Sequence, residues 1–253
     1  MNSTLVKGVS VLEHLLQAGP SASLTELARR TGLLPSNVHR TLQTWVHLGF
    51  VKQEPVTGLY QCTYKLFEWG SRVADQQDLR NLARPHLVQL AQQTQETIHL
   101  SVLDGLEVIY LDKIDSPQPV RAYSQLGGRA PAHCVATGKV LLAFGPQIVR
   151  QSLPPKLTRH SPNTLVDKTK LLAELEACRQ KGYALNSEEW REGVSGLGAP
   201  VIGRFGYAVA AVGLSAPTNR LSAKKQLILA RNLVDAASAI SRQIAGLQME
   251  PGS

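Results

Sequence analysis

LTELARRTGLLPSNVHRTLQTWVHLGFV, residues 24–51, sets two short amphipathic segments on either side of a glycine. Ser23 precedes the first segment and Glu26 follows three residues later, a capping-box pattern that predicts a helix ending at Gly32. The second segment begins near Pro35 and carries apolar residues at helical spacing, namely Val38, Leu42, Trp45 and Leu48. Two such helices joined by a tight turn are typical of a helix-turn-helix, although they could also be a plain helix pair in a core.

The flanking residues extend this unit in both directions. LVKGVSVLEHLLQAG, residues 5–19, repeats leucine and valine at helical spacing and ends at Gly19-Pro20. FVKQEPVTGLYQCTY, residues 50–64, indicates two short strands around a proline and Thr-Gly turn. Three helices followed by a hairpin predict a winged helix-turn-helix domain over residues 1–67.

The remainder of the chain has a different pattern. Residues 67–96 are mostly helical in pattern, interrupted around Pro85, and we assign a linker helix to residues 68–81. Residues 82–253 then predict an α+β domain whose helices pack on a mostly antiparallel sheet. Its predicted strands are TIHLSVL, EVIYLDKI, VRAYSQL and the segments 183–186, 196–202 and 207–214, with helices over 133–144, 165–182 and 222–247.

Composition limits the class of protein. The 253 residues have a formal net charge of +8 and a sequence pI near 9.6, which favours an anionic partner such as nucleic acid. The first 70 residues hold only six Lys and Arg against four Asp and Glu, so this excess is not concentrated in the predicted DNA-binding domain. No apolar run reaches the roughly 18 to 20 residues of a membrane span, and the start has no signal-peptide pattern, so we expect a soluble cytoplasmic protein without membrane contact.

A recognition helix presents polar side chains to base edges from its first turns. Such side chains are present after Pro35. Arg29 and Arg30 lie at the end of the preceding helix, where they can contact phosphates. The alternative is an ordinary surface helix, but the complete helix order and the hairpin favour DNA binding. The predicted DNA-contacting residues are Ser36, Asn37, Arg40, Thr41, Gln43, Arg29 and Arg30, with Lys52 and Lys65 as further phosphate candidates beside the wing.

Several motifs in the second domain resemble catalytic or cofactor sites. Gly138-Lys139 lacks the first glycine and the hydroxyl residue of a phosphate loop, and GLGAPV is only a fragment of a dinucleotide fingerprint. Cys134 beside His133 suggests a thiol enzyme with an appended DNA-binding domain, but no orienting third group is evident. The three cysteines lack CxxC pairing or a histidine at zinc-ligand spacing. We therefore expect no catalytic set, no cofactor and no metal.

Glycines and a helix start indicate a ligand pocket instead. A helix that begins after GGRAPAHC offers unpaired N–H groups to an anion, and LNSEEWREGVSGLGAP adds polar groups and glycines that allow close approach of a ligand or another backbone. Tight packing of strands explains those glycines equally well.

Nearly the whole chain resembles the IclR family of bacterial transcription regulators. The most specific matches are GGRAPAHCVATGKVLLA and GYALNSEEWREGVSGLGAPV, together with the helix-turn-helix and the wing through YKLFEWG. The resemblance implies a winged helix, a linker helix and a GAF-like effector domain, assembled as homodimers or homotetramers on operator DNA. It also implies that a small organic acid binds the second domain and changes DNA binding or transcription, typically of a catabolic operon.

The resemblance further implies effector contacts at Ala136, Thr137, Asn186, Gly196, Gly213 and Ser215. Three positions depart from the small-acid binders of the family: Asn186 replaces a common aspartate, Gly196 a cysteine, and Gly213 a serine. Loss of two side chains predicts a roomier pocket, so our hypothesis is an effector larger than glyoxylate or pyruvate, such as an aromatic carboxylate. The candidates to pair with its carboxylate are Arg121, Arg129 and His133.

Overall fold

The computed structural model describes residues 2–75, 79–122 and 124–247, with the backbone alone for 71–75 and 246–247. The chain divides into two compact units, Met1–Gln77 and Asp78–Ser253. The predicted linker helix over residues 68–81 includes residues 76–78, which lie outside the described part. No helix within the described residues combines the length and apolar character that crossing a bilayer requires.

The first unit is the predicted winged helix-turn-helix. Its elements are α1 (Ser3–Gln17), α2 (Leu24–Thr31), α3 (Pro35–His47), β1 (Val51–Gln53), β2 (Tyr60–Cys62) and α4 (Lys65–Asp75). β1 and β2 pair antiparallel, and Ala22 adds an isolated bridge to Tyr60. The three-helix core is completely buried at Val11, Leu27, Val38 and Leu42.

The turn between α2 and α3 forms as the sequence predicts. The Ser23 Oγ accepts from the Glu26 amide at 3.2 Å, and Gly32 ends α2 with a positive φ of 68°. The Glu26 carboxylate pairs with Arg30 at 2.6 Å instead of returning to the Ser23 amide, so the predicted capping box is half formed. The glycine therefore supplies the left-handed residue that lets α3 turn away from α2.

The second unit is a three-layer α+β domain. Its elements are α5 (Leu79–Thr94), β3 (Thr97–Asp104), β4 (Glu107–Ile114), β5 (Arg129–Pro131), α6 (Ala136–Phe144), α7 (Gln147–Gln151), α8 (Lys168–Lys181), β6 (Ala184–Ser187), β7 (Val194–Ile202), β8 (Ala208–Pro217), a 3₁₀ turn (Thr218–Arg220) and α9 (Ala223–Leu247). The strands form one antiparallel sheet in the order β5-β4-β3-β8-β7-β6. One core joins α5 and α9 to the sheet, and a second lies among α6, α8 and the sheet.

The third strand was predicted in the wrong place. None of the described residues of VRAYSQL (120–122 and 124–126) is in a strand, and the third strand is β5 instead. Ala122 and Ser124 are buried without strand pairing, and the Ala122 carbonyl accepts from the Thr97 hydroxyl at 3.4 Å. The predicted strand is therefore wrong because the segment buries side chains without forming strand hydrogen bonds.

Two helix predictions also need correction. α5 continues through Pro85 although an interior proline removes a backbone hydrogen bond, because Leu87 and Leu90 beyond it are buried in the core and hold the helix against the sheet. α6 begins at Ala136 and not at His133, because a turn closed by the Cys134 amide on the Pro131 carbonyl at 3.0 Å precedes it.

Candidate functional site

α3 presents a polar surface opposite its buried side. Ser36, Arg40 and Gln43 are exposed, whereas Asn37 and Thr41 are half-buried. The other side of the helix is anchored to α1 by the Trp45 indole, which donates to the Gly8 carbonyl at 2.9 Å. The five predicted base-reading residues therefore lie on one rigidly supported helix whose first turn has no side-chain cap.

The cations around this helix differ in their surroundings. Arg29 and Arg30 are exposed at the end of α2, and Arg30 is held by Glu26. The Lys65 ammonium donates to the Leu48 carbonyl at 2.7 Å and lies 4.8 Å from the centre of the Phe50 ring. Lys65 thus connects the start of α4 to the end of α3, while Lys52 is exposed on β1.

In the second unit, a cavity of about 240 Å³ lies beside the start of α6. It is somewhat smaller than the roughly 300–1,000 Å³ of typical small-molecule sites. The predicted effector residues that line it are Ala136, Asn186, Gly196, Ser215 and Arg121. The fold therefore brings these five residues together at one cavity, although they are far apart in the sequence.

The start of α6 gives this cavity an anion-binding character. Ala136 is the first helical residue, and the preceding Val135 makes no side-chain cap hydrogen bond. The first N–H groups of an α-helix have no partner within the helix, and they favour negative charge.

Aromatic side chains form walls of the cavity that the sequence patterns do not predict. His99, Tyr110 and Trp190 line it together with Arg191. The His99 and Tyr110 rings meet edge to face with centres 5.0 Å apart, and the Arg191 guanidinium lies 4.6 Å from the Trp190 ring centre. The available signal in the sequence was a histidine inside the apolar strand TIHLSVL.

Burial keeps the two polar aromatic groups neutral. Desolvation lowers the pKa of His99 to about 4, and desolvation raises the pKa of Tyr110 to about 12 despite the opposing charge of Arg191. His99 Nδ1 and Ser124 Oγ are buried without a hydrogen-bond partner among the described residues. The cavity therefore offers neutral hydrogen-bonding groups, and its formal positive charge comes from Arg191 and from Arg121, whose Nε also lies 4.0 Å from the Asp115 carboxylate.

Gly213 does not leave open space, contrary to the sequence expectation. A Cβ at this position would collide with His99 Nε2 and Thr137 Cγ2, so the imidazole and the threonine methyl occupy the volume. At Gly196 a Cβ would lie 2.7 Å from the Leu214 carbonyl oxygen and 3.4 Å from Ser215 Oγ. Thr137 and Gly213 thus lie behind the cavity wall, and only Gly196 of the two glycines lines the cavity.

Two other candidates for the carboxylate lie outside the cavity. Arg129 pairs with Asp104 at 2.5 Å and with Glu107 at 3.2 Å on the surface. His133 Nε2 lies 3.0 Å from the Thr158 carbonyl oxygen, in a separate cavity. Of the three alternatives for the carboxylate, Arg121 alone lines the cavity, and Arg129 and His133 lie elsewhere.

The residues suggestive of an enzyme have other roles. Burial raises the pKa of the Cys134 thiol to about 12, so the nucleophilic thiolate is disfavoured near neutral pH. Lys139 is completely buried and contacts Glu174 at 2.5 Å and Glu189 at 2.6 Å, so it is not available to a phosphate. It joins α6 to α8 and to the loop that carries Trp190.

Comparisons with known proteins agree with both units. The family model of the IclR helix-turn-helix domain matches residues 4–55. The family model of the C-terminal domain of the bacterial transcriptional regulator IclR matches residues 71–242. The chain is 36% identical over 244 residues to the HTH-type transcriptional regulator KdgR of Escherichia coli, covering 96% of this chain and 92% of KdgR.

Solved structures extend the similarity to the fold. The IclR of Thermotoga maritima has a TM-score of 0.81 and 31% identity, covering 96% of this chain and 99% of that one. An IclR homologue from Microbacterium hydrocarbonoxydans, solved in complex with 4-hydroxybenzoate, has a TM-score of 0.83 and 26% identity over 96% of this chain and 99% of the homologue.

Proposed function

The chain belongs to the IclR family of DNA-binding transcription regulators, and from that membership we propose that a small organic acid bound beside α6 controls the affinity of the chain for operator DNA. In this proposal Ser36, Asn37, Arg40, Thr41 and Gln43 face the major groove, while Arg29 and Arg30 contact phosphates. The regulated genes form a catabolic operon, and the regulator acts in the cytoplasm as a homodimer or homotetramer. Cys134 and His133 take no part in catalysis, because the chain is a regulator and not an enzyme.

The cavity beside α6 carries the proposal for the effector. No Asp or Glu is among the described residues that line it, whereas two guanidinium groups and the first turn of α6 favour an anion. Three aromatic rings form its walls, and flat rings stack on such walls. These features together support an aromatic carboxylate, the class to which the ligand in the Microbacterium homologue belongs.

Calorimetry of the full chain with a panel of aliphatic and aromatic acids, including glyoxylate and 4-hydroxybenzoate, tests the effector class. We expect aromatic acids to bind and Arg121→Ala to weaken them by roughly 10- to 150-fold, the equivalent of losing one charge-assisted hydrogen bond. Arg129→Ala is the matched control, because its guanidinium is paired with Asp104 and Glu107 outside the cavity. Tight binding of glyoxylate without a response to any aromatic acid would contradict the proposal.

A further inference from the structure

A cluster of metal-ligating side chains lies outside the effector cavity. The side-chain ligand atoms of His133, Cys134 and His160 all lie within 4.8 Å of one another. His133 and Cys134 come from the turn before α6, and His160 comes from the loop between α7 and α8. Because the loop returns to this turn only in the fold, the spacing of the cysteines and histidines in the sequence does not reveal the cluster.

We propose that His133, Cys134 and His160 bind a zinc ion. A thiolate and two imidazoles suit zinc, whereas magnesium and calcium prefer oxygen ligands. Zinc bonds of about 2.0–2.3 Å in a tetrahedron separate the ligand atoms by roughly 3.5 Å, so the cluster must contract by about 1 Å. His160 is exposed, and rotation of its side chain can supply this movement.

The hydrogen bonding of His133 prepares this residue as a ligand. Its Nε2 lies 3.0 Å from the Thr158 carbonyl oxygen, which can only accept, so Nε2 carries the proton. Nδ1 is left with a free lone pair. An imidazole that binds a metal through one nitrogen and donates to a carbonyl through the other is the usual arrangement at zinc sites.

The loop that carries His160 is held in position. Thr164 Oγ1 accepts from the amides of His160 at 3.0 Å and Ser161 at 2.8 Å, and it donates to the Glu189 carbonyl at 2.6 Å. The imidazoles of His133 and His160 have ring centres 5.8 Å apart without an ion. The loop is therefore preorganised, and zinc binding costs little backbone ordering.

The cluster has a route by which an ion can enter and room for a fourth ligand. A cavity of about 300 Å³ is lined by His133 and His160 but not by the completely buried Cys134, so an ion enters from the side of the two imidazoles, where water can take the fourth position. Cys134 loses its proton as its Sγ bonds to zinc, and the proton leaves to solvent. The zinc ion then links the α7–α8 loop to the turn that positions α6.

Cobalt(II), a spectroscopic substitute for zinc, tests the site in the full chain after removal of metals with a chelator. We expect one cobalt per chain and a sulfur-to-cobalt charge-transfer absorption that added zinc abolishes. Cys134→Ala should remove this absorption. His160→Ala should weaken binding at least by the roughly 10- to 100-fold that loss of an outer-shell partner costs at metal sites.

Matched controls separate the site from adventitious binding and from misfolding. Cys178→Ala removes another buried cysteine and His86→Ala another histidine of the same unit, and both should bind cobalt as the unchanged chain does. His160 is exposed, so its variant should keep the helical circular dichroism of the unchanged chain. Absence of the charge-transfer absorption, or unchanged cobalt affinity in His160→Ala, would overturn the proposal.

Discussion

His99 and Gly213 form a complementary pair across two neighbouring strands. The sheet register sets His99 directly opposite Gly213, and the imidazole fills the volume that a side chain at position 213 would take. The family resemblance could identify position 213 but not its occupant, because that depends on a strand pairing between distant parts of the chain. The same pairing makes His99 part of the cavity wall.

Gly213→Ala should destabilise the second unit, because the added methyl group meets His99 Nε2 and Thr137 Cγ2. Overpacking of this kind costs about 1–3 kcal/mol in the free energy of unfolding, measured by urea denaturation. The double variant Gly213→Ala/His99→Ala should show a favourable coupling of at least about 0.5 kcal/mol between the two changes. Additive effects of the two substitutions would show that the imidazole does not fill this space.

The titration of His99 should make stability depend on pH. The unfolded chain binds a proton at a pKa near 6.5, whereas burial lowers the pKa in the folded chain to about 4. Between these pH values the unfolded state binds more protons than the folded state. The contribution of neutral His99 to the free energy of unfolding is therefore fully present above about pH 6.5 and is lost as the pH falls towards 4. The loss of unfolding free energy over this pH interval is on the order of 3 kcal/mol.

Urea denaturation at several pH values across this interval measures the effect. His99→Phe should flatten the decline in unfolding free energy between about pH 6.5 and 4. His47→Gln, which replaces an exposed histidine at the end of α3, is the control and should leave the decline unchanged. Equal pH dependence of His99→Phe and the unchanged chain would contradict the assignment.

The helices and strands differ in how far the sequence determines them. Local signals were enough for α2, where Ser23 caps the helix and Gly32 ends it. They were misleading for VRAYSQL, because Ala122 and Ser124 are buried against the rest of the unit without pairing as a strand. Of the cavity, the resemblance identified Ala136 and Asn186, while the aromatic walls depend on long-range packing.

α3 provides the test of the DNA-reading surface. Arg40→Ala removes an exposed guanidinium without disturbing the buried Val38 and Leu42. We expect operator affinity in a mobility-shift assay to fall by roughly 5- to 150-fold, which corresponds to one base contact of about 1–3 kcal/mol. Arg204→Ala, which removes an exposed arginine of the second unit, is the control for the loss of one charge. Undiminished affinity of the Arg40 variant would remove this residue from the reading surface.

The chain joins a DNA-binding domain to the domain that holds the effector cavity, and thermodynamic linkage constrains how the two affinities depend on each other. If an effector changes operator affinity by a given factor, operator DNA must change effector affinity by the same factor. The chain's net charge of +8 adds an attraction to DNA that does not depend on sequence and that weakens with salt. The effector-dependent part of the operator affinity can be separated from this nonspecific attraction, because only the former changes when the effector binds.

We expect the aromatic acid that binds the cavity to change operator affinity by roughly 5- to 150-fold, a coupling of about 1–3 kcal/mol, at fixed salt. Calorimetric titration of that acid into the free chain and into the chain saturated with operator DNA should give affinities that differ by this factor. Arg121→Ala should raise the acid concentration that produces the response, because it weakens binding in the cavity while α3 is unchanged. Equal acid affinities with and without operator DNA would show that the cavity does not control DNA binding.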